Sequence, residues 1–151
     1  MGNRYTVHRD NVTPTGGQDA LSLISGTGRR IRLISLKANG RGSTSAAQQF
    51  IVSRATAGTT PGGAITPSKG EHSEQPAANF TTATTWAAQP TPETNGEVLG
   101  WNALGGVNQL TVQAGRPGGY IEARNGEVIS IRAPSGPTYQ AVTFSAVVEE
   151  D

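Results

Sequence analysis

The sequence predicts an all-β protein, an antiparallel β-sandwich of about eight to ten short strands, with the jelly roll as its expected version. Three observations lead there. Short runs of alternating and β-branched residues recur along the chain, Gly, Pro, Ser, Thr and Asn cluster between them, and no segment sustains a helical apolar period. Arg4-Tyr5-Thr6-Val7 reads as an opening strand, and Leu21 and Leu23 mark the next. Across Gly26-Thr27-Gly28 comes the run from Arg30 to Lys37, which contains a break in alternation. Ile31 and Leu33 share one face and Ile34 and Leu36 the other, so this strand is buried on both sides or bulged near Leu33. Gln49 to Ala55 is the following candidate. Signals then thin out from Thr56 to Pro92, where the threonine run ending at Trp86 is the best strand candidate. Val98 to Ala103 reads as buried, and Leu110-Thr111-Val112 as short.

The final third is the clearest. Tyr120 to Arg124, Asn125-Gly126 and Glu127 to Arg132 have the form of a hairpin, because Asn-Gly supplies the positive φ angles of a type I′ turn. Ile129 and Ile131 share one face, and Val142, Phe144, Ala146 and Val148 repeat that spacing in the last strand. Gly-Gly pairs at 16–17, 62–63, 105–106 and 118–119 punctuate the series, and prolines fall in connections.

The chain of 151 residues, with nine prolines, twenty glycines and no cysteine, is the size of one domain. Residues 1–151 are accordingly read as a single sandwich, with 1–18 as an N-terminal arm and 56–92 as a long surface excursion. Without cysteine there are no disulfides, thiolate nucleophiles or thiolate metal sites. No apolar run approaches the ~20 residues that span a bilayer, and no signal-peptide core follows Met1, so a soluble protein without a membrane partner is expected. The small net charge hides an asymmetry. Residues 1–70 carry nine Lys and Arg against two Asp, a net of +7, and residues 71–151 carry three Arg against nine acids, a net of −6. Placed on separate surfaces, the halves would draw copies or an acidic partner together; interleaved by a sandwich, they would cancel.

Chemistry is thin. His8 and His72 are the two imidazoles, and Glu71-His72-Ser73-Glu74 puts one beside carboxylates in a polar loop, where a solvated charge cluster is the simpler reading. Gly58 to Gly63 lacks the Gly-Lys-Ser/Thr ending of a phosphate loop and any helix after it, and reads as a turn. Arg29-Arg30-Ile31-Arg32 is the densest basic group, but aromatic platforms for nucleic acid are scarce, so nucleic acid is not an expected partner. Trp86 could stack on a sugar, whereas Trp101, beside Val98 and Leu99, suits the core. No catalytic, cofactor-binding or metal-ligating residue is assigned, and the protein is read as not an enzyme.

Phe50 to Pro67, Thr84-Thr85-Trp86 with Gln89-Pro90-Thr91, Trp101 to Gly106 and Arg124-Asn125-Gly126-Glu127 together resemble small structural proteins of tailed bacteriophages, over most of the chain from Arg30 onward. The resemblance implies a virion β-sandwich made in the host cytoplasm, a capsid decoration or cement protein on the phage head. Its implied partners are the major capsid protein and further copies of itself, a trimer being favoured. Arg4, Tyr5, Arg29, Arg30, Arg32 and Trp86 are the interface residues this reading selects. A receptor- or carbohydrate-binding module of a tail or fibre, using Trp86 or Tyr139, is the alternative.

Overall fold

The fold is described from a computed structural model over residues 2–93, 96–112 and 121–151. Those residues contain no helix and fourteen strands. The strands are β1 (Asn3–Val12), β2 (Gln18–Ile24), β3 (Arg30–Gly40), β4 (Ala47–Thr56), β5 (Thr59–Gly62), β6 (Ser68–Lys69) and β7 (Thr81–Ala83). They continue with β8 (Thr85–Ala88), β9 (Thr91–Pro92), β10 (Glu97–Asn102), β11 (Val107–Thr111), β12 (Glu122–Arg124), β13 (Val128–Ala133) and β14 (Val142–Glu150). The excess over the expected eight to ten consists of pieces of two to four residues, mostly from the threonine-rich excursion.

Two antiparallel sheets pack face to face as a β-sandwich. The first runs β11-β3-β14-β1-β6, with β12 sharing the edge of β3 beside β11. The second runs β10-β4-β13-β2-β7, with β9 sharing the edge of β4 beside β10. Their inner faces carry the alternating residues: Val142, Phe144, Ala146 and Val148 from β14, Ile129 and Ile131 from β13, and Leu21 and Leu23 from β2, all essentially inaccessible. Phe50 bridges the layers, 4.6 Å from the Trp101 ring on its own sheet and 5.0 Å from Phe144 on the other. At about 1.5–3 kcal/mol for each large apolar side chain removed from water, this core is the main source of stability in a chain without disulfides.

The break in β3 is a bulge. Val147 pairs with Ser35 and Val148 with Leu33, so Ile34 is the extra residue and Ile31, Leu33, Leu36 and Ala38 all face inward. A second irregularity lies in β2, where Ile131 pairs with Leu21 but Arg132 pairs with Asp19, skipping Ala20. Asp19 and Ser22, three residues apart and therefore on opposite faces of a regular strand, are brought to the same outer face by it.

Three local readings are corrected. Asn125 and Gly126 do take φ values of 51° and 87°, and Glu127 N–H donates to the Arg124 carbonyl at 3.0 Å. The flanking strands nevertheless do not pair with each other: β12 joins β3 in the first sheet while β13 joins β2 and β4 in the second, so the turn crosses the sandwich. Gly58 to Gly63 is mostly strand β5, pairing with β8, and not a turn. Residues 3–12, placed at the sequence level within an arm, form β1 along eight register positions with β14, with Tyr5 and Val7 buried. Tyr120 and Gly118-Gly119 lie outside the described residues.

The excursion of residues 56–92 wraps the second sheet. It adds β6 to the free edge of β1 in the first sheet and β7 to the free edge of β2 in the second, and the antiparallel pair β5–β8 lies over the outer face of β2. Trp86 Nε1 donates to Ser22 Oγ at 2.9 Å, and Arg132 Nη2 donates to the Pro90 carbonyl at 2.6 Å. The outer face of the second sheet is thereby covered there; the outer face of the first is open.

Candidate functional site

The basic residues singled out in the sequence meet at one end of the open sheet. Outward alternation on β1 and β3 presents Arg4, Arg30 and Arg32, and β14 and β12 bring Glu149 and Glu122 alongside in direct register with Arg32. Arg32 lies 3.4 Å from Glu122, 3.4 Å from Glu149 and 3.7 Å from Asp151, while Arg4 lies 3.6 Å from Glu149. Arg124 approaches Glu122 at 2.9 Å, and Arg30 bonds Asp151 through both Nε and Nη2. The Arg30 bond holds the Asp151 carboxyl below the ordinary aspartate range, and the same bond raises the Arg30 guanidinium.

Cations from the first half of the chain are thus matched by carboxylates from the second. Arg54 with Glu93, at 2.5 Å, repeats the pattern elsewhere, and Asp19 with Arg132, at 2.9 Å, is its converse, an acid of the first half on a cation of the second. The sandwich interleaves the two charge halves instead of separating them, which removes much of the field that the sequence asymmetry could have produced. What is left at this end is a cleft lined by Gly28, Arg29, Arg30, Arg124, Asn125 and Asp151, with the exposed Arg29 at its mouth.

The remaining selected residues go elsewhere. Tyr5 is 1% exposed, stacks edge-on against Phe80 at 5.6 Å and donates its hydroxyl to the Pro76 carbonyl. Trp86 is half-buried on the other sheet, tied to Ser22. Tyr139 is buried with its hydroxyl on the Pro134 carbonyl at 2.6 Å, and burial raises its pKa. Glu71, His72, Ser73 and Glu74 lie exposed in their loop, and among the described residues no three His, Asp or Glu side chains converge as a metal site requires. Nor is any helix of the described residues long and apolar enough to cross a membrane.

Two features were not read from the sequence. The first is the side of the sandwich where β10 and β11, consecutive in the chain, form edges of the two sheets. Val98, Leu104 and Val107 flank this corner at 55–58% exposure. The strand residues of β11 carry no charge and no proline, and β10 has Glu97 alone, so neither edge has the lysines or prolines that usually deter pairing with another chain. Alternation alone marks Val98 as outward beside buried Leu99, but only the topology shows that its strand is an edge.

The second is a polar network under the β5–β8 pair. Asp19 is fully enclosed, accepting hydrogen bonds from Ser22 and Ser130 at 2.6 Å and from Arg132 at 2.9 Å, and Asp19 N–H donates to Gln89 Oε1 at 3.0 Å. Every carboxylate oxygen has a donor, so this is a satisfied structural clamp holding the excursion to the sheet.

No family model, no curated protein and no solved structure matches the chain. What the chain offers for function is an all-β sandwich with an ion-paired end and, among the described residues, a pair of edge strands without lysine or proline.

Proposed function

We propose that the chain is a non-enzymatic virion structural protein, a capsid decoration or cement protein whose jelly-roll bodies join through the β10–β11 side into a closed homo-oligomer, a trimer being favoured. The observation that carries this reading is the double edge of β10 and β11, whose strand residues include no lysine or proline, with Val98, Leu104 and Val107 around it. Apolar groups and unpaired ladder positions concentrated on one side are what a subunit contact covers, and cyclic closure uses each such surface once per copy. The strand order supports the jelly roll. β1, β14, β3 and β11 face β2, β13, β4 and β10, so the chain visits the first and second sheets in the sequence one, two, one, two, two, one, two, one.

A decoration protein works by mass action. Copies that bind the assembled shell and not its dissociated subunits shift the balance toward the shell, and repeated sites add their contributions. A cross-linked, inert body suits that role, and the clamp on Asp19 and the ion pairs around Arg32 supply such rigidity here. The test is co-sedimentation of purified protein with phage shells that lack it. Saturable binding, with shells that then survive higher temperature, is the expected result. Absence of binding to shells overturns the reading, and attachment to host cells without attachment to shells would favour a receptor- or carbohydrate-binding tail module.

A further inference from the structure

The open outer face of the first sheet differs at its two ends. Around Arg32 every carboxylate is matched by arginines, but the row His8, Ser145, Lys37, Gln109, aligned in direct register across β1, β14, β3 and β11, contains no carboxylate. Among the described residues no acid lies within ion-pair distance of Lys37. In the neighbouring row, Thr143 sits beside Asn39.

These residues enclose a hollow. His8, Lys37, Asn39, Thr143, Phe144 and Ser145 line a cleft of about 220 Å³ on an otherwise flat sheet. Its shape has a sequence cause. The short Ser145 and Thr143 side chains on β14 form a low floor between the longer side chains of β1 and β3. At one end the β1 register with β14 slips between Arg9 and Val12, where Asn11 takes a φ of 50°. That bulge turns Asn11 N–H onto Thr143 Oγ1 at 3.0 Å. The same hydroxyl donates to Asp10 Oδ1 at 2.7 Å and accepts from Arg41 Nε at 3.3 Å. Asp10 and Arg41 thus meet on one hydroxyl at the rim, and among the described residues Lys37 is the lining cation with no carboxylate within ion-pair distance.

We propose that this hollow binds an oxyanion, carboxylate or phosphate, carried on a small hydroxylated molecule. The Lys37 ammonium supplies the charge, and the Ser145 hydroxyl and Asn39 amide supply neutral hydrogen bonds beside it. Its volume of about 220 Å³ suits a small ligand, and its hydroxyl and amide groups suit one that carries hydroxyls of its own. The Arg29 cleft is the weaker candidate, because two of its three guanidiniums already bond Asp151 and Glu122. The hollow lies one strand in from the β11 edge, with Asn39 in register with Val107, and its chemistry does not depend on where the protein sits in a virion.

The test is a nuclear magnetic resonance titration of the intact chain with inorganic phosphate, glucuronate and glucose, at fixed ionic strength. Saturable shifts at Asn39 and Ser145 with phosphate, glucuronate or both, without shifts from glucose, are expected, and the responding anion identifies which source carries the group. Lys37→Gln should weaken that binding roughly ten- to hundredfold, the loss of one hydrogen bond to a charged group, whereas Arg29→Gln should leave it unchanged. No saturable shift with either anion, equal binding of glucose, or full binding by Lys37→Gln would each overturn the assignment.

Discussion

Arg132 reaches the completely enclosed Asp19 carboxylate at 2.9 Å, and its other nitrogen holds the Pro90 carbonyl at 2.6 Å. One guanidinium therefore ties β2, β13 and the end of the excursion together. Asp19→Ala is expected to destabilise the protein by about 3–5 kcal/mol, since it strands a largely buried cation and two hydroxyls. Arg132→Met in the Asp19→Ala background should recover part of that loss. Urea denaturation of the two single variants and the double variant measures the coupling, and strict additivity would contradict the clamp.

Trp86→Phe keeps an aromatic ring but removes the N–H bonded to Ser22 and part of the ring area beside it. A loss of about 1 kcal/mol is expected. Hydrogen exchange should quicken across β5 and β8 while β13 and β14 keep their protection, because this two-stranded sheet lies on the sandwich and is not part of its core. Uniform acceleration across all strands would show that the β5–β8 pair and the sandwich open as one unit.

The Arg30–Asp151 pair carries a pH signature. Because the folded carboxyl titrates below its ordinary value, its contribution is fully present above about pH 4 and is lost as pH falls through the depressed folded value. Wild type should therefore exceed Asp151→Asn in stability at pH 7, by a small margin since the pair is exposed, and the two should converge in strong acid. Thermal melts at pH 7 and at pH 2 make the comparison. A difference that persists unchanged at pH 2 would remove this pair as its source.

Much of the sandwich was legible in the residues, and the reason is local. The alternation of Val142, Phe144, Ala146 and Val148 depends on one strand alone, as does the broken alternation at Ile34 that became a bulge. Asn125-Gly126 set its own φ angles for the same reason. Pairing was not legible, because whether β12 meets β13 or β3 is decided by which faces the whole chain must bury. The candidate site divides in the same way. Arg30 and Arg32 could be placed on one face from spacing, but the arrival of Arg4 beside them and their neutralisation by Glu122, Glu149 and Asp151 required the register of distant strands. Asp19 gives no signal by itself, since Gln18-Asp19 reads as a solvated strand start until the Ala20 bulge and the overlying excursion enclose it.

Val107 is 58% exposed on the edge strand β11. A lysine there should oppose pairing with another copy without touching the core, so Val107→Lys is expected to sediment as a folded monomer while the wild type sediments as a larger closed species. A wild type that is monomeric at all concentrations would contradict association through this edge.

Immunogold labelling of intact phage particles, imaged by electron microscopy, tests the structural-protein reading most directly. Label spread evenly over the heads is the predicted result. Label confined to the tail tip, or particles that carry none, would contradict it.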